Sequence, residues 1–181
     1  MAADDLLTLR AVQHARLSRE TTWTAIGDIS LLDAPKWVPV ILSRSLMPAQ
    51  IATEARRIED AVRAGAVAVG GFVSPAEKQV ARQLARLPEL KVVRVVPFSL
   101  HNYPLTEAVK QRLRDGRTLL LSGCAEGDSA ITRANCVRTN RWVLELCEAS
   151  VPTTVSASLE ETLPPPQVEV ALADDPAAIF L

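Results

Sequence analysis

Val69-Gly70-Gly71-Phe72-Val73-Ser74-Pro75-Ala76-Glu77-Lys78 is the stretch on which the fold turns. Ala66 to Val69, just before it, is short, apolar and β-prone, the pattern of a strand covered on both faces. Gly70 and Gly71 then offer a bend open to backbone conformations that side chains forbid, and a place where another molecule can come close. Ser74, Pro75 and Glu77 read as the N-cap, first-position proline and capping-box glutamate of a helix. Free amides at such a start favour anions such as phosphate. Read alone, the stretch also fits an ordinary capped strand-to-helix connection.

The same alternation occurs four times. Val38 to Leu42 leads through Ser43-Arg44-Ser45 to a helix from Pro48 to Ala64, with Ile51, Ala55, Ile58 and Val62 on one face. Ala66 to Val69 leads through the glycine turn to a helix from Pro75 to Leu87. Val92 to Val96 leads through Pro97 to Pro104 to a helix from Leu105 to Arg114. Thr118 to Leu121 leads through Ser122-Gly123 and Glu126-Gly127-Asp128 to a helix from Ser129 to about Glu148. Strands alternating with helices at this spacing imply βαβ units, right-handed crossovers and a parallel sheet between helical layers. The expected fold is α/β: a three-layer Rossmann-like domain with a mainly parallel sheet, an N-terminal accessory helix and a Pro-rich C-terminal tail. Arg94, inside the third strand, suggests that this strand has an incompletely covered face or lies near the sheet edge.

Outside this core, residues 4–19 carry an imperfect apolar stripe of Leu6, Leu9, Val12 and Leu17, the pattern of an accessory helix. Thr21 to Leu32 reads as a short turn or helix pinned by Trp23. After Ala149 the composition shifts to Val151 to Ala157, Leu163-Pro164-Pro165-Pro166 and an acidic end, a linker and tail with two strand-like runs separated by prolines. The expected organisation is 1–36 accessory segment, 37–149 Rossmann-like domain and 150–181 linker and acidic tail.

The chain has 181 residues, 48% hydrophobic and 23% charged, enough for one sizeable core. No apolar run approaches the roughly 20 residues that cross a bilayer, and Asp4 and Asp5 occupy the start in place of a basic, then apolar, leader, so a cytoplasmic location is expected. The three cysteines, Cys124, Cys136 and Cys147, form no Cys-x-x-Cys pair and read as ordinary buried or half-buried thiols. With a net charge of −1, any attraction to phosphate must be local.

In an open parallel sheet, ligands bind outside the carboxyl ends of the strands. That edge should gather Ser43-Arg44, Gly70-Gly71-Phe72 with Ser74 and Lys78, Ser99 to Tyr103, and Ser122-Gly123. The final helix adds Arg133, Arg138, Asn140 and Arg141, with Arg138 and Arg141 at helical spacing, suited to bidentate phosphate contacts but also readable as a solvated face. His101 has no serine or cysteine nucleophile, metal-ligand spacing or carboxylate pair to work with, and reads as a surface histidine, as does His14 on the first segment. No catalytic residue, metal or cofactor is expected.

Taken together, Ser43-Arg44-Ser45, Gly70 to Lys78, Pro97 through Asn102-Tyr103-Pro104, Arg117 to Ser122 and Arg138-Thr139-Asn140-Arg141 resemble the Rossmann-like domain of DNA-processing protein A, over roughly Trp37 to Glu148. Leu42-Ser43-Arg44 stands where that family has Gly-Ser-Arg. The resemblance implies noncatalytic binding of single-stranded DNA in a local basic pocket and hand-over to a recombinase during transformation. Carried over by position, it implies phosphate contacts from Arg44, Lys78, Arg138 and Arg141, with Ser43, Gly70, Gly71, Ser74, Asn102 and Asn140 completing the site. The wider group includes cytokinin-activating proteins of the lysine-decarboxylase-like type, whose Pro-Gly-Gly-x-Gly-Thr-x-x-Glu stretch does not occur here. That leaves nucleotide binding or sensing as the alternative, and a degenerate protein-contact role through Glu160, Glu161, Asp174, Asp175 and Ile179 to Leu181 as a third reading. The implied partners are single-stranded DNA or a nucleotide, a protein at the tail and, as an open option, a second copy in a homodimer; no membrane is expected.

Overall fold

The structure is a computed structural model and describes residues 5–43 and 45–147, without the Asn102 side chain. The expected tail, with its two strand-like runs, lies outside the described residues. So does Arg44.

Six strands form one mixed sheet in the order β1-β2-β6-β5-β4-β3. They are β1 (Arg10–Val12), β2 (Trp23–Gly27), β3 (Trp37–Pro39), β4 (Val67–Gly70), β5 (Val92–Val95) and β6 (Thr118–Ser122). β3 to β6 are parallel, with registers such as Val38↔Ala68, Val69↔Val93 and Val93↔Leu119. β2 joins β6 antiparallel, and β1 joins β2 antiparallel. Pro39 has no N–H to give, yet the ladder continues beyond it, because the Val40 N–H donates to the Val69 carbonyl at 2.7 Å.

The helices are α1 (Pro48–Arg63), α2 (Pro75–Leu84), α3 (Glu107–Arg114) and α4 (Arg133–Leu146). Each start has a chemical cause. Thr106 accepts from the Val109 N–H, so α3 begins two residues later than its apolar pattern suggests. Thr132 accepts from the Asn135 N–H at 3.1 Å, so α4 begins at Arg133 and not at Ser129.

The four parallel strands follow one another in sheet order, so right-handed crossovers place α1, α2 and α3 on the same face. Their Ala55, Ile58, Val62, Val80, Leu84, Val109 and Leu113 pack with Val38, Ala68, Val92 and Leu120. α4 covers the opposite face, where Trp142, Val143 and Leu146 meet Val67, Val69, Val93, Val95, Leu119 and Leu121. Helices on both faces of a mainly parallel sheet make the three-layer Rossmann-like architecture expected from the sequence.

Three local expectations give way. Residues 4–19 hold no α-helix among the described residues: a 3-10 turn at Asp5–Leu7 precedes β1. The imperfect stripe is better used by strand pairing and by Leu17, buried against the α4 face, where Arg16 also lies over the Trp37 ring at 5.1 Å. Trp23 to Gly27, expected as a turn or helix, is β2. After it, Ile29–Asp33 forms a 3-10 turn, capped by Asp28 through the Ser30 N–H at 3.0 Å. Trp23 packs, as expected, 4.8 Å from the Trp142 ring. Finally, Arg94 is neither at the edge nor on an open face: β5 lies between β6 and β4, and Arg94 is only 4% exposed. The loop after β5 folds back over it, and Arg94 Nη1 donates to the Tyr103 hydroxyl at 2.8 Å.

Candidate nucleic-acid interface

The strain of the central turn falls on an unexpected residue. Neither Gly70 nor Gly71 has a positive φ, whereas Phe72, fully buried, sits at φ 53°. A bulky side chain in the left-handed region is disfavoured by itself, so core burial must hold it there. The glycines serve packing. A Cβ on Gly70 would come within 2.8 Å of the Val40 carbonyl, and one on Gly71 within 3.1 Å of Thr139 Cγ2. Gly71 is thus the point where the β4–α2 turn and α4 touch.

The start of α2 carries the capping box expected of it, and more. Glu77 is only 4% exposed. Its Oε2 accepts from the Val73 N–H at 2.9 Å and the Ser74 N–H at 3.1 Å, and its Oε1 accepts from the Leu42 N–H at 3.1 Å. Ser74 Oγ accepts from the Glu77 N–H at 3.2 Å and donates to the Leu42 carbonyl at 3.3 Å. Two amides expected to attract phosphate are therefore already held by the chain's own carboxylate. Ser74, 8% exposed and committed on both sides, is a framework residue of the site.

Sequence reasoning passed over Glu77 as a functional residue. The signal was the spacing Gly70-Gly71-x-x-Ser74-x-x-Glu77.

The other expected residues fall into two groups. On the α1–α3 side, half-buried Lys78 stands in the first turn of α2, near Arg94. Desolvation first, then the charges of Arg94 and Arg82, hold the Lys78 pKa below its usual value, with Glu77 pulling the other way. An anion placed there relieves that repulsion. Beside them Tyr103, its ring 5.6 Å from the Arg94 guanidinium, stacks on Phe98 with centroids 6.0 Å apart and planes 12° apart; both rings are half-buried. Ser43, half-buried in the β3–α1 loop, shares a hydrogen bond with Ser45 Oγ at 2.8 Å and accepts from the Ser45 N–H.

On the α4 side, Arg133, Ala134, Val137, Arg138 and Arg141 line a shallow open depression of about 610 Å³. Arg138 is partly spent, on Asn135 Oδ1 at 2.8 Å, Asp128 Oδ2 at 3.3 Å and the Trp142 face at 5.2 Å. Arg141 is exposed and makes no ion pair among the described residues. Asn140 is half-buried. The depression's lining includes neither Lys78 nor Ser43, so the cations flank the sheet edge in two groups with Gly71 and Thr139 between them.

Two further loops meet at this edge. The β5–α3 loop leaves toward one face and the β6–α4 loop toward the other, which makes the gap between β5 and β6 a topological switch point. Here it is closed: the Ser99 N–H donates to the Asp128 carbonyl at 2.7 Å, and Ser122 Oγ to the Phe98 carbonyl at 2.7 Å. His101 is exposed and shares a hydrogen bond with Ser99 Oγ at 3.1 Å. All three cysteines are buried and outside any disulfide among the described residues, where no cluster of three or more His, Cys, Asp or Glu side chains is arranged to hold a metal ion. No helix among the described residues is long and apolar enough to cross a membrane.

Against solved structures, the chain matches DNA processing protein A from Helicobacter pylori at 19% identity and a TM-score of 0.57, over 77% of this chain and 66% of that one. It has a DNA processing protein A-like fold. The protein of the same name from Streptococcus pneumoniae matches at 20% identity and a TM-score of 0.53, over 80% of this chain and 54% of that one. The chain thus spans about two thirds of the first of these structures and about half of the second. No protein-family model matches it, and no curated protein does.

Proposed function

We propose that this chain binds single-stranded DNA without catalysis, along the rim formed by the carboxyl ends of its parallel strands. One observation carries the reading: the half-buried Phe98–Tyr103 stack lies directly against Arg94, with Lys78 beside it. Single strands are held by aromatic faces on which bases stack and by cations that track the phosphates; here the stack supplies the first and half-buried Lys78 the second, while buried Arg94 holds the Tyr103 ring from beneath. Arg138 and Arg141 extend the cationic path past Gly71 onto α4, with Ser43 and Asn140 as polar neighbours. Gly70 and Ser74 act through the framework.

The Helicobacter pylori protein of this fold is described by its single-stranded DNA binding mode, which supports the same ligand class here. A part in recombination during transformation belongs to the same proposal. With a net charge of −1 the chain has no general attraction to nucleic acid, so binding depends on this local arrangement.

The turn from β4 through Gly70 and Gly71 to the start of α2, where helix amides suit an anion, favours a second reading, a compact nucleotide seated there. Against it, Glu77 already occupies the Val73 and Ser74 amides that would take the phosphate. Fluorescence anisotropy with labelled oligo-dT, followed by competition with nucleoside monophosphates, separates the two. The DNA reading expects saturable binding that strengthens with oligomer length and resists millimolar monophosphate. Displacement by a monophosphate, without length dependence, supports the nucleotide reading instead.

A further inference from the structure

The capping box of α2 clamps a neighbouring loop as well as its own helix. Leu42, which leads into Ser43 and Ser45, is held through both backbone groups: its N–H by Glu77 Oε1 and its carbonyl by Ser74 Oγ. The other carboxylate oxygen of Glu77 meanwhile caps α2 through the Val73 and Ser74 amides. We infer that Glu77 is a positioning residue, which ties the β3–α1 loop to the start of α2 and so fixes where the serines of that loop stand against a bound strand. The inference rests on the single-stranded DNA reading for its ligand and on geometry alone for the clamp.

The two tasks of the carboxylate are separable because they use different oxygens. Glu77→Gln leaves one acceptor oxygen and puts an NH2 group in place of the other. The remaining oxygen satisfies two amides on the α2 side and only one on the loop side. It therefore stays with Val73 and Ser74, and the NH2 faces the Leu42 N–H, donor against donor. The variant keeps the helix cap and the Ser74 bond to the Leu42 carbonyl, and loses the carboxylate's half of the clamp. Glu77→Ala loses the carboxylate's bonds on both sides.

The test runs three readouts on wild type, Glu77→Gln and Glu77→Ala in the full chain: amide hydrogen exchange, thermal unfolding and oligo-dT affinity. The clamp expects faster exchange at residues 42–46 in Glu77→Gln, with residues 75–84 as protected as in wild type. It expects an affinity loss of about tenfold, the size of one lost charge-assisted contact, equal in both variants, with the salt slope not lowered, because the serines carry no charge that displaces counterions. The melting temperature should fall mainly in Glu77→Ala. A merely structural role makes affinity follow melting temperature across the two variants, and that result overturns the inference, as does unchanged exchange at 42–46 in Glu77→Gln. If wild type itself binds no oligo-dT, the DNA reading is overturned, and the exchange pattern alone decides the clamp.

Discussion

Alanine at Gly70 and at Gly71 separates packing from ligand approach as the reason for the glycine pair. At Gly70 the added Cβ would stand 2.8 Å from the Val40 carbonyl oxygen, 3.2 Å from Val40 Cβ and 3.3 Å from Phe72 Cζ. None of these can swing away. Val40 is pinned by its N–H to the Val69 carbonyl at 2.7 Å, and Phe72 is wholly buried. Relief requires β3 and β4 to part by a few tenths of an ångström, an overpacking cost of about 1–3 kcal/mol. The stiffer unfolded chain returns about 0.4–1 kcal/mol, leaving a net loss of about 1–2 kcal/mol and a fall in Tm of about 2–8 °C. At Gly71 the nearest atom, 3.1 Å away, is the Cγ2 of buried Thr139 on α4, a milder contact with a side chain and not with backbone, so Gly71→Ala should cost less than Gly70→Ala. Urea unfolding reads both, through the fluorescence of the buried Trp23, Trp37 and Trp142. If Gly70→Ala is as stable as wild type, or Gly71→Ala is the worse of the two, the packing argument is wrong.

Desolvation pushes the Cys147 thiol up to about 12, against the opposing pull of Arg16. The fold therefore keeps this thiol neutral while the unfolded chain ionises near 9, so this group's contribution to stability falls as pH rises from about 9 towards 12. Peptide-resolved alkylation at pH 8.5 should label Cys147 at least about 100-fold more slowly in the folded than in the urea-unfolded chain, because the thiolate is the nucleophile; equal rates would refute the burial account. Lys78→Met and Arg141→Met should each weaken oligo-dT binding and lower its salt slope by about 0.7, with Tm within about 2 °C of wild type; an unchanged slope removes that residue from the interface.

The parallel core was legible because each βαβ unit carries its own local signals: an apolar β-branched run, a capping residue and a periodic helix face. Ser74 with Glu77, and the alternation from Val38 onward, placed three crossover helices and α4 with errors confined to their ends. β1 and β2 were not legible. Arg10–Val12 and Trp23–Gly27 become strands by pairing with Ala25, Thr24 and Ser122, contacts up to about a hundred residues apart in sequence that no local window contains. Arg94 misled for the same reason: a charge in a strand signals exposure unless a later loop covers it, and Tyr103 does. At the candidate site, residue types pointed to the carboxyl ends of the parallel strands but not to the division of labour. That Glu77 would spend its carboxylate on Leu42, Val73 and Ser74, or that Arg138 would be partly held by Asp128, depends on side-chain meetings fixed only by the assembled sheet.

The most direct test of the central claim is the salt dependence of oligo-dT binding to the unmodified chain. Contacts from Lys78, Arg138 and Arg141 predict saturable binding in low salt, with log K falling against log salt at a slope of about 2 in magnitude. A flat salt dependence, or no binding in low salt, would contradict a cationic rim that holds the phosphates of a single strand.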